Sequence, residues 1–462
     1  MRVLAATWDM PGHFNPLVPL CWALRAAGHE VVVVSNPGLV PAIVQAGLPA
    51  LPAGDPGFDS YAVLREQLAA RSWRPVPPAD TAATGTANAS GTAGGPANTT
   101  ANTAGTTGGP AGAGETDGSA AARPSADGST GANAGGSAGG STGGDAGGSA
   151  DHTRRRLHGF RVATRSALAQ ADDAAAFARH WRPDLVLFEP VAFVGPLIGK
   201  LCGVPAVRVL WSVDFTGPMA RFEADVVGDL LDRFGLERLD VNGDLTLDPC
   251  PPELQYDLDL PRRRFRFVPY NGASVLPADL EPPTGLPRVC VTWGTSQERL
   301  GFDRMMIAPR VVEALAGLKA EVVVAVTDGQ RAAFDPLPDN VLRIGRMPLD
   351  ALLRDCDLLV QQGGAGGTMT ALVNGVPQLV VPHMPDEIFH GRQVERGGVG
   401  RCLPGAEATV EALREQITAV LDDPSYRDTA RRLREDMLAL PTPAQLVPEL
   451  EELARAGVRP GA

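Results

Sequence analysis

The chain has 462 residues, with 41 Lys and Arg against 53 Asp and Glu, and its formal net charge is −12. Its basic residues are spread along the sequence and form no stripe, which argues against nucleic acid as a partner. No stretch approaches the ~20 apolar residues of a membrane span, so no membrane partner is expected. Six cysteines lie far apart, without a C-x-x-C pair or a His at metal-ligand spacing. That usage predicts a reduced, cytoplasmic protein without a metal site.

Val3 to Thr7 reads as an apolar strand, Met10 to Asn15 as a turn, Leu17 to Ala26 as a helix and Val31 to Val34 as a second strand. This is the β-α-β opening of a parallel sheet. The apolar run after Met1-Arg2 is too short for a signal peptide, since Asp9 and Pro11 interrupt it. From Thr81 to Asp151 the chain is almost entirely Gly, Ala, Thr, Ser, Asn and Pro. Such a composition buries too little surface to offset its ordering entropy, and predicts a disordered insertion that loops out of the first domain.

Helical spacing returns over Phe160 to His180, followed by the buried strand Leu185 to Phe188, another helix, and the strand Ala206 to Leu210. Two dense basic runs, Arg154 to Arg156 and Arg262 to Arg264, are too short to track a phosphate backbone and read as solvated faces. Glu253 to Pro287 loses periodicity as an interdomain linker does, and the linker proper is placed at 268–287. Strands then follow at Arg288 to Trp293, Glu321 to Val326, Leu342 to Ile344, Leu358 to Val360 and Val376 to Val381. Val311 to Leu318 reads as a helix, and Val410 onward is helical nearly to the end. The predicted fold is α/β: two Rossmann-like domains with parallel sheets facing one interdomain cleft. The first comprises 1–80 and 152–267, and the second 288–462, whose last helix is free to return to the first.

In open parallel sheets ligands bind beyond the carboxyl ends of the strands. Four loops lie there: Pro11-Gly12-His13, Glu189-Pro190, Trp293-Gly294-Thr295-Ser296, and Gln361 to Thr368. In the last, Gln361-Gln362-Gly363-Gly364-Ala365-Gly366-Gly367-Thr368 follows a strand and opens a helix. Its glycines let backbone N–H groups and the helix dipole approach an anion such as a pyrophosphate. A plain flexible turn and a dinucleotide site using Asp386 as the ribose-binding acid stay open. His13, just before a helix that Asn15 or Pro16 starts, is placed to remove a proton near neutral pH if a partner such as Glu189 orients its other nitrogen. A loop histidine and a solvated carboxylate are the plainer alternatives. His383 and His390 flank another strand end and receive no role.

Pro11-Gly12-His13-x-x-Pro16, Arg182-Pro183-Asp184-Leu185-Val186, the Gly-Gly-Ala-Gly run, Asn374-Gly375-Val376-Pro377-Gln378 and Leu440-Pro441-Thr442-Pro443 resemble the actinobacterial antibiotic glycosyltransferases. These are inverting enzymes of the GT-B fold that decorate natural products with TDP-deoxysugars. Asp248-Pro249-Cys250-Pro251-Pro252 and Val268-Pro269-Tyr270-Asn271-Gly272 are similar to the branch acting on macrolide, spinosyn and aromatic polyketide aglycones. The resemblance covers nearly everything outside Thr81 to Asp151. It implies transfer of a sugar from a nucleotide diphosphate, with TDP expected over UDP, to a small lipophilic acceptor. The nucleotide-sugar is a substrate, and no cofactor or metal is implied.

Residue by residue, the resemblance makes His13 the general base and Glu189 its carboxylate partner. It brings Thr295, Ser296, Gln361 and Gly363, Gly364, Ala365, Gly366, Gly367 and Thr368 to the diphosphate. Arg346, Met347 and Pro348 would border the nucleobase, and Asp386 and Glu387 would match an Asp-Gln pair touching sugar hydroxyls. Two departures stand out. Many relatives have His-His-Gly-Gly-Ala-Gly-Thr where this chain has Gln361-Gln362 and an extra Gly367, and Glu387 replaces the Gln. Glutamine donates without charge, so a weaker phosphate bond is expected. Two rivals remain: a catalytically weak glycosyltransferase-like auxiliary protein assisting another transferase, and, more remotely, a nicotinamide-dependent oxidoreductase. A homodimeric partner or a helper protein is left open.

Overall fold

The computed structural model describes residues 1–69, 146–277, 282–301 and 305–457. The chain divides into one unit of Met1–Ala83 with Asp151–Ala462, which carries every strand among the described residues, and another of Thr84–Ala150. The expected disordered insertion lies outside the described residues, except that 146–151 already belong to a helix, so the coil expected there ends earlier.

Two parallel sheets organise the first unit. One holds β1 (Arg2–Ala6), β2 (Glu30–Ser35), β3 (Ala50–Pro52), β4 (Leu185–Phe188), β5 (Ala206–Val209), β6 (Leu245–Asp248) and β7 (Arg262–Arg264), in the order β3-β2-β1-β4-β5-β6-β7. The other holds β8 (Arg288–Thr292), β9 (Glu321–Ala325), β10 (Val341–Gly345), β11 (Leu358–Gln361), β12 (Gln378–Val380) and β13 (Gly400–Cys402), in the order β10-β9-β8-β11-β12-β13. The central strands are continuous apolar runs because helices cover both faces: Leu185, Val186, Leu187 and Phe188 of β4 are all fully buried. Register follows the same runs, with Val3 beside Val31 on one side and Leu185 on the other.

Helices fill the crossovers. In the first half these are α1 (Pro11–Phe14), α2 (Val18–Ala26), α3 (Val40–Gln45), α4 (Ser60–Ala69), α5 (Ala146–Trp181), α6 (Val194–Cys202) and α7 (Glu223–Phe234). In the second they are α8 (Ser296–Arg299), α9 (Ala308–Leu315), α10 (Asp328–Arg331), α11 (Leu349–Leu353), α12 (Ala365–Asn374), α13 (Pro385–Arg396), α14 (Val410–Asp422), α15 (Pro424–Ala439) and α16 (Pro443–Ala456). α16 lies against α2, where Leu446, Val447 and Leu450 share a core with Leu17, Leu20 and Leu24. Beside it the chain segments that join the halves touch, the Arg266 N–H donating to the Pro441 carbonyl at 2.8 Å.

Two expectations are corrected. Met10 to Asn15 is not an irregular turn: Pro11 opens α1, a proline at the first helical position being preset for it, and a 3-10 turn over Asn15–Leu17 continues into α2. Arg262 to Arg264 is not a solvated face but the edge strand β7. Arg262 pairs with Asp248 at 2.6 Å and Asp214 at 3.6 Å, and Arg263 with Glu449 at 2.6 Å. The side chains of Arg154 to Arg156 lie outside the described residues. Among the described residues no helix is long and apolar enough to cross a membrane.

Candidate active site

In each sheet the strand order reverses direction at one place, between β1 and β4 in the first and between β8 and β11 in the second. Such switch points open a crevice at the carboxyl ends of the strands. All four loops singled out from the sequence leave those four strands.

At the first crevice α1 carries His13, and its ring nitrogen Nδ1 stands 3.1 Å from Glu189 Oε2. The two side chains differ in access, 21% exposed for His13 and 1% for Glu189. Backbone fixes the carboxylate: the Trp8 N–H donates to Oε1 and the Val191 N–H to Oε2, both at 3.1 Å. A carboxylate held against Nδ1 favours the tautomer with its proton there and leaves Nε2 as the base. The imidazole is flanked edge-to-face by Trp8 at 5.0 Å and Trp211 at 4.4 Å between centroids. Beside it, Trp8 Nε1 donates to Ser60 Oγ at 2.6 Å and Ser60 bonds Asp9, whose carboxyl is raised above its usual range by burial. Asp9 and Ser60 were not anticipated, although an acid directly after an apolar strand was a signal.

At the second crevice Gly363 takes φ +106°, and a Cβ there would meet the Glu387 carbonyl oxygen at 2.9 Å. Gly364 is the N-cap of α12, with Ala365, Gly366 and Gly367 as its first residues. The N–H groups of a helix's first turn have no intrahelical acceptor, so this end presents donors and a positive dipole to an anion. Thr368 is the first residue to close the ladder, its N–H donating to the Gly364 carbonyl at 3.0 Å.

Gln361 and Thr368 are turned inward from this turn, whereas the Gln362 amide nitrogen would lie 3.0 Å from a Cβ at Gly364. Gln361 is buried and donates to Thr368 Oγ1 at 3.2 Å and Gln378 Oε1 at 2.7 Å. Thr368 is itself fully buried. A Cβ at Gly367 would lie 2.3 Å from Gln361 Oε1, so the extra glycine and the glutamine in place of histidine belong together sterically. Gln362 accepts from the Gly294 N–H at 3.2 Å and ties the two loops side by side. Thr295 caps α8 and Ser296 begins it. Arg346 is exposed, Met347 buried and Pro348 the N-cap of α11, all just past β10.

Asp386 is exposed, whereas Glu387 is buried. Glu387 Oε2 accepts from the His383 and Met384 N–H groups, both at 2.9 Å, and Oε1 from Gln297 at 2.9 Å. Burial, with the nearby Asp386 charge, pushes its carboxyl up to about 8. The halves meet around this crevice. Leu300, Ala365 and Met384 pack against the first core, Arg65 donates to the Arg299 carbonyl at 2.7 Å, and Phe215 stacks on Phe389 at 5.5 Å.

Two parallel α/β sheets, each with a switch point at the carboxyl ends of its strands, make the GT-B fold of glycosyltransferases. The chain matches the models of the erythromycin biosynthesis protein CIII-like N-terminal domain over residues 22–89 and 145–294 and C-terminal domain over 309–453. It is 34% identical to 10-deoxymethynolide desosaminyltransferase of Streptomyces venezuelae, across 100% of this chain and 99% of that protein. It is 32% identical to erythronolide mycarosyltransferase of Saccharopolyspora erythraea, across 98% and 99%. Of solved structures, it is similar to spinosyn rhamnosyltransferase SpnG complexed with thymidine diphosphate, with TM-score 0.69, 28% identity, and 98% and 100% of the two chains covered. The chain belongs to the erythromycin biosynthesis protein CIII-like family, and it is a glycosyltransferase of antibiotic biosynthesis.

Proposed function

We propose that the protein transfers a deoxysugar, with inversion, from a thymidine diphosphate donor to a lipophilic aglycone of the polyketide class. The observation that carries this reading is the 3.1 Å pair of His13 and Glu189 at one switch point, with the α12 N-terminus at the other. His13 removes the acceptor proton through Nε2, and the freed nucleophile attacks the anomeric carbon from the face opposite the leaving group. Glu189 stabilises the imidazolium that forms. The diphosphate departs toward the N–H groups of Ala365, Gly366 and Gly367, where preorganised donors meet the developing charge without a metal or cofactor. Thr295 and Ser296 border the same anion from the β8 loop. Arg346, Met347 and Pro348 border the nucleobase, and exposed Asp386 faces the sugar.

The choice of thymidine over uridine leans on the SpnG complex, and the acceptor class on the names of relatives such as erythronolide mycarosyltransferase and aklavinone 7-beta-L-rhodosaminyltransferase of Streptomyces galilaeus. Calorimetric titration with TDP, UDP and NADH in metal-free buffer tests the reading. Saturable binding of TDP with none of NADH is the expected result. Binding of NADH alone would overturn it in favour of nicotinamide chemistry, and binding of none would favour an auxiliary role.

A further inference from the structure

His390, on the second turn of α13, takes no part in the proton transfer or in the departure of the diphosphate. It is 1% exposed, and its Nδ1 lies 2.9 Å from the Gly363 carbonyl oxygen. That contact makes Nδ1–H the donor and leaves Nε2 an acceptor, which is buried without a hydrogen-bond partner. Leaving a buried acceptor unpaired costs more than one neutral hydrogen bond returns. The one hydrogen bond the ring makes ties it to the Gly363 carbonyl.

The bond falls on the residue that turns β11 into α12. Gly363 is left-handed, and its bare Cα rests against the Glu387 backbone one turn before His390. α13 therefore holds this turn twice, by close approach at Glu387 and by the imidazole at the carbonyl. The glycine run itself is preceded by two glutamines, of which Gln361 is turned into the core and Gln362 accepts from the Gly294 N–H. Phe215 of the first half meets the His390 ring edge-on at 6.1 Å.

We propose that His390 is a positioning residue for the donor diphosphate. Its Nδ1–H fixes the Gly363 peptide and so aims the Ala365, Gly366 and Gly367 N–H groups. This rests on the donor-site reading of the α12 N-terminus. His390→Leu is expected to weaken TDP binding by about 10-fold or more, the usual cost of removing a group that orients a ligand's contacts. It should raise the donor KM more than it lowers kcat, leave the acceptor KM unmoved, and melt no lower than the parent. His390→Asn, whose amide N–H can take the place of Nδ1–H, recovers most of the affinity, and His390→Gln, which reaches only the Nε2 side, does not. Unchanged TDP affinity in His390→Leu overturns the proposal, as does equal loss in the Asn and Gln variants. Should His390→Leu not fold, the Asn and Gln pair decides alone. Failure of the parent protein to bind TDP or UDP would sink the donor-site reading instead, and is read separately.

Discussion

The two carboxyl edges present polar groups in opposite ways. At the first, backbone N–H groups pin the buried Glu189 side chain so that a half-open side chain, His13, faces the cleft. At the second, Gln361, Thr368 and Glu387 are turned inward, and the first turn of α12 offers main-chain N–H groups. Acid–base chemistry depends on one side chain and its pKa, so deleting atoms breaks it. Anion binding by a helix terminus depends on backbone placement, so the damage there comes from adding atoms.

Substitutions at the two edges should therefore differ in kind. His13→Ala is expected to have the largest effect, a fall in turnover of about 10²–10⁴-fold, with TDP affinity by calorimetry unchanged. An unimpaired turnover number would remove His13 from the mechanism. Glu189→Gln keeps the shape but not the charge beside Nδ1, and a loss of about 10²-fold is expected. Steady-state rates with donor saturating should show it in kcat.

On the other edge Gly367→Ala inserts a Cβ 2.3 Å from Gln361 Oε1 and forces Gln361 off Thr368 and Gln378. A loss of about 1–3 kcal/mol in denaturant melts is expected. Because Gln361→Ala makes room for that methyl group, the double variant should lose less than the sum of the singles. Strict additivity would separate the two departures from the family pattern.

At Glu387 the expected effect depends on pH and is smallest at the acid end. Its carboxyl rises from 4.5 unfolded to about 8 folded, so the folded state binds the extra proton between those values. Its contribution to stability is then lost as pH climbs through that window. Glu387→Gln removes the dependence. The variant should gain melting temperature over the parent progressively from pH 5 to pH 9. A constant difference across that range would mean that Glu387 is ionised throughout.

Much of this arrangement is legible in the chain. β1, β4, β8 and β11 are apolar runs that end in a change of character, and His13, Glu189, Thr295 and the glycine run stand just past those ends. β7 was hidden because three consecutive arginines look like surface, while Asp248, Asp214 and Glu449 neutralise them at a sheet edge. β3 and β13 are three residues each, too short for a period of two to declare itself. The direction of Gln361 was illegible for another reason. It is set by space over Gly367 and by Gln378, neither of which a local pattern encodes. Likewise Asp9 acquires its partner from Ser60 through the folded chain alone.

The return of α16 to α2 bears on how the cleft can open. The polypeptide passes between the halves twice, through the segment around Arg266 and again through Pro441, and those two passages are hydrogen-bonded to each other. Two crossings fastened at one place make a single pivot between the halves. Any opening of the cleft would then turn His13 and the α12 N-terminus about that one pivot.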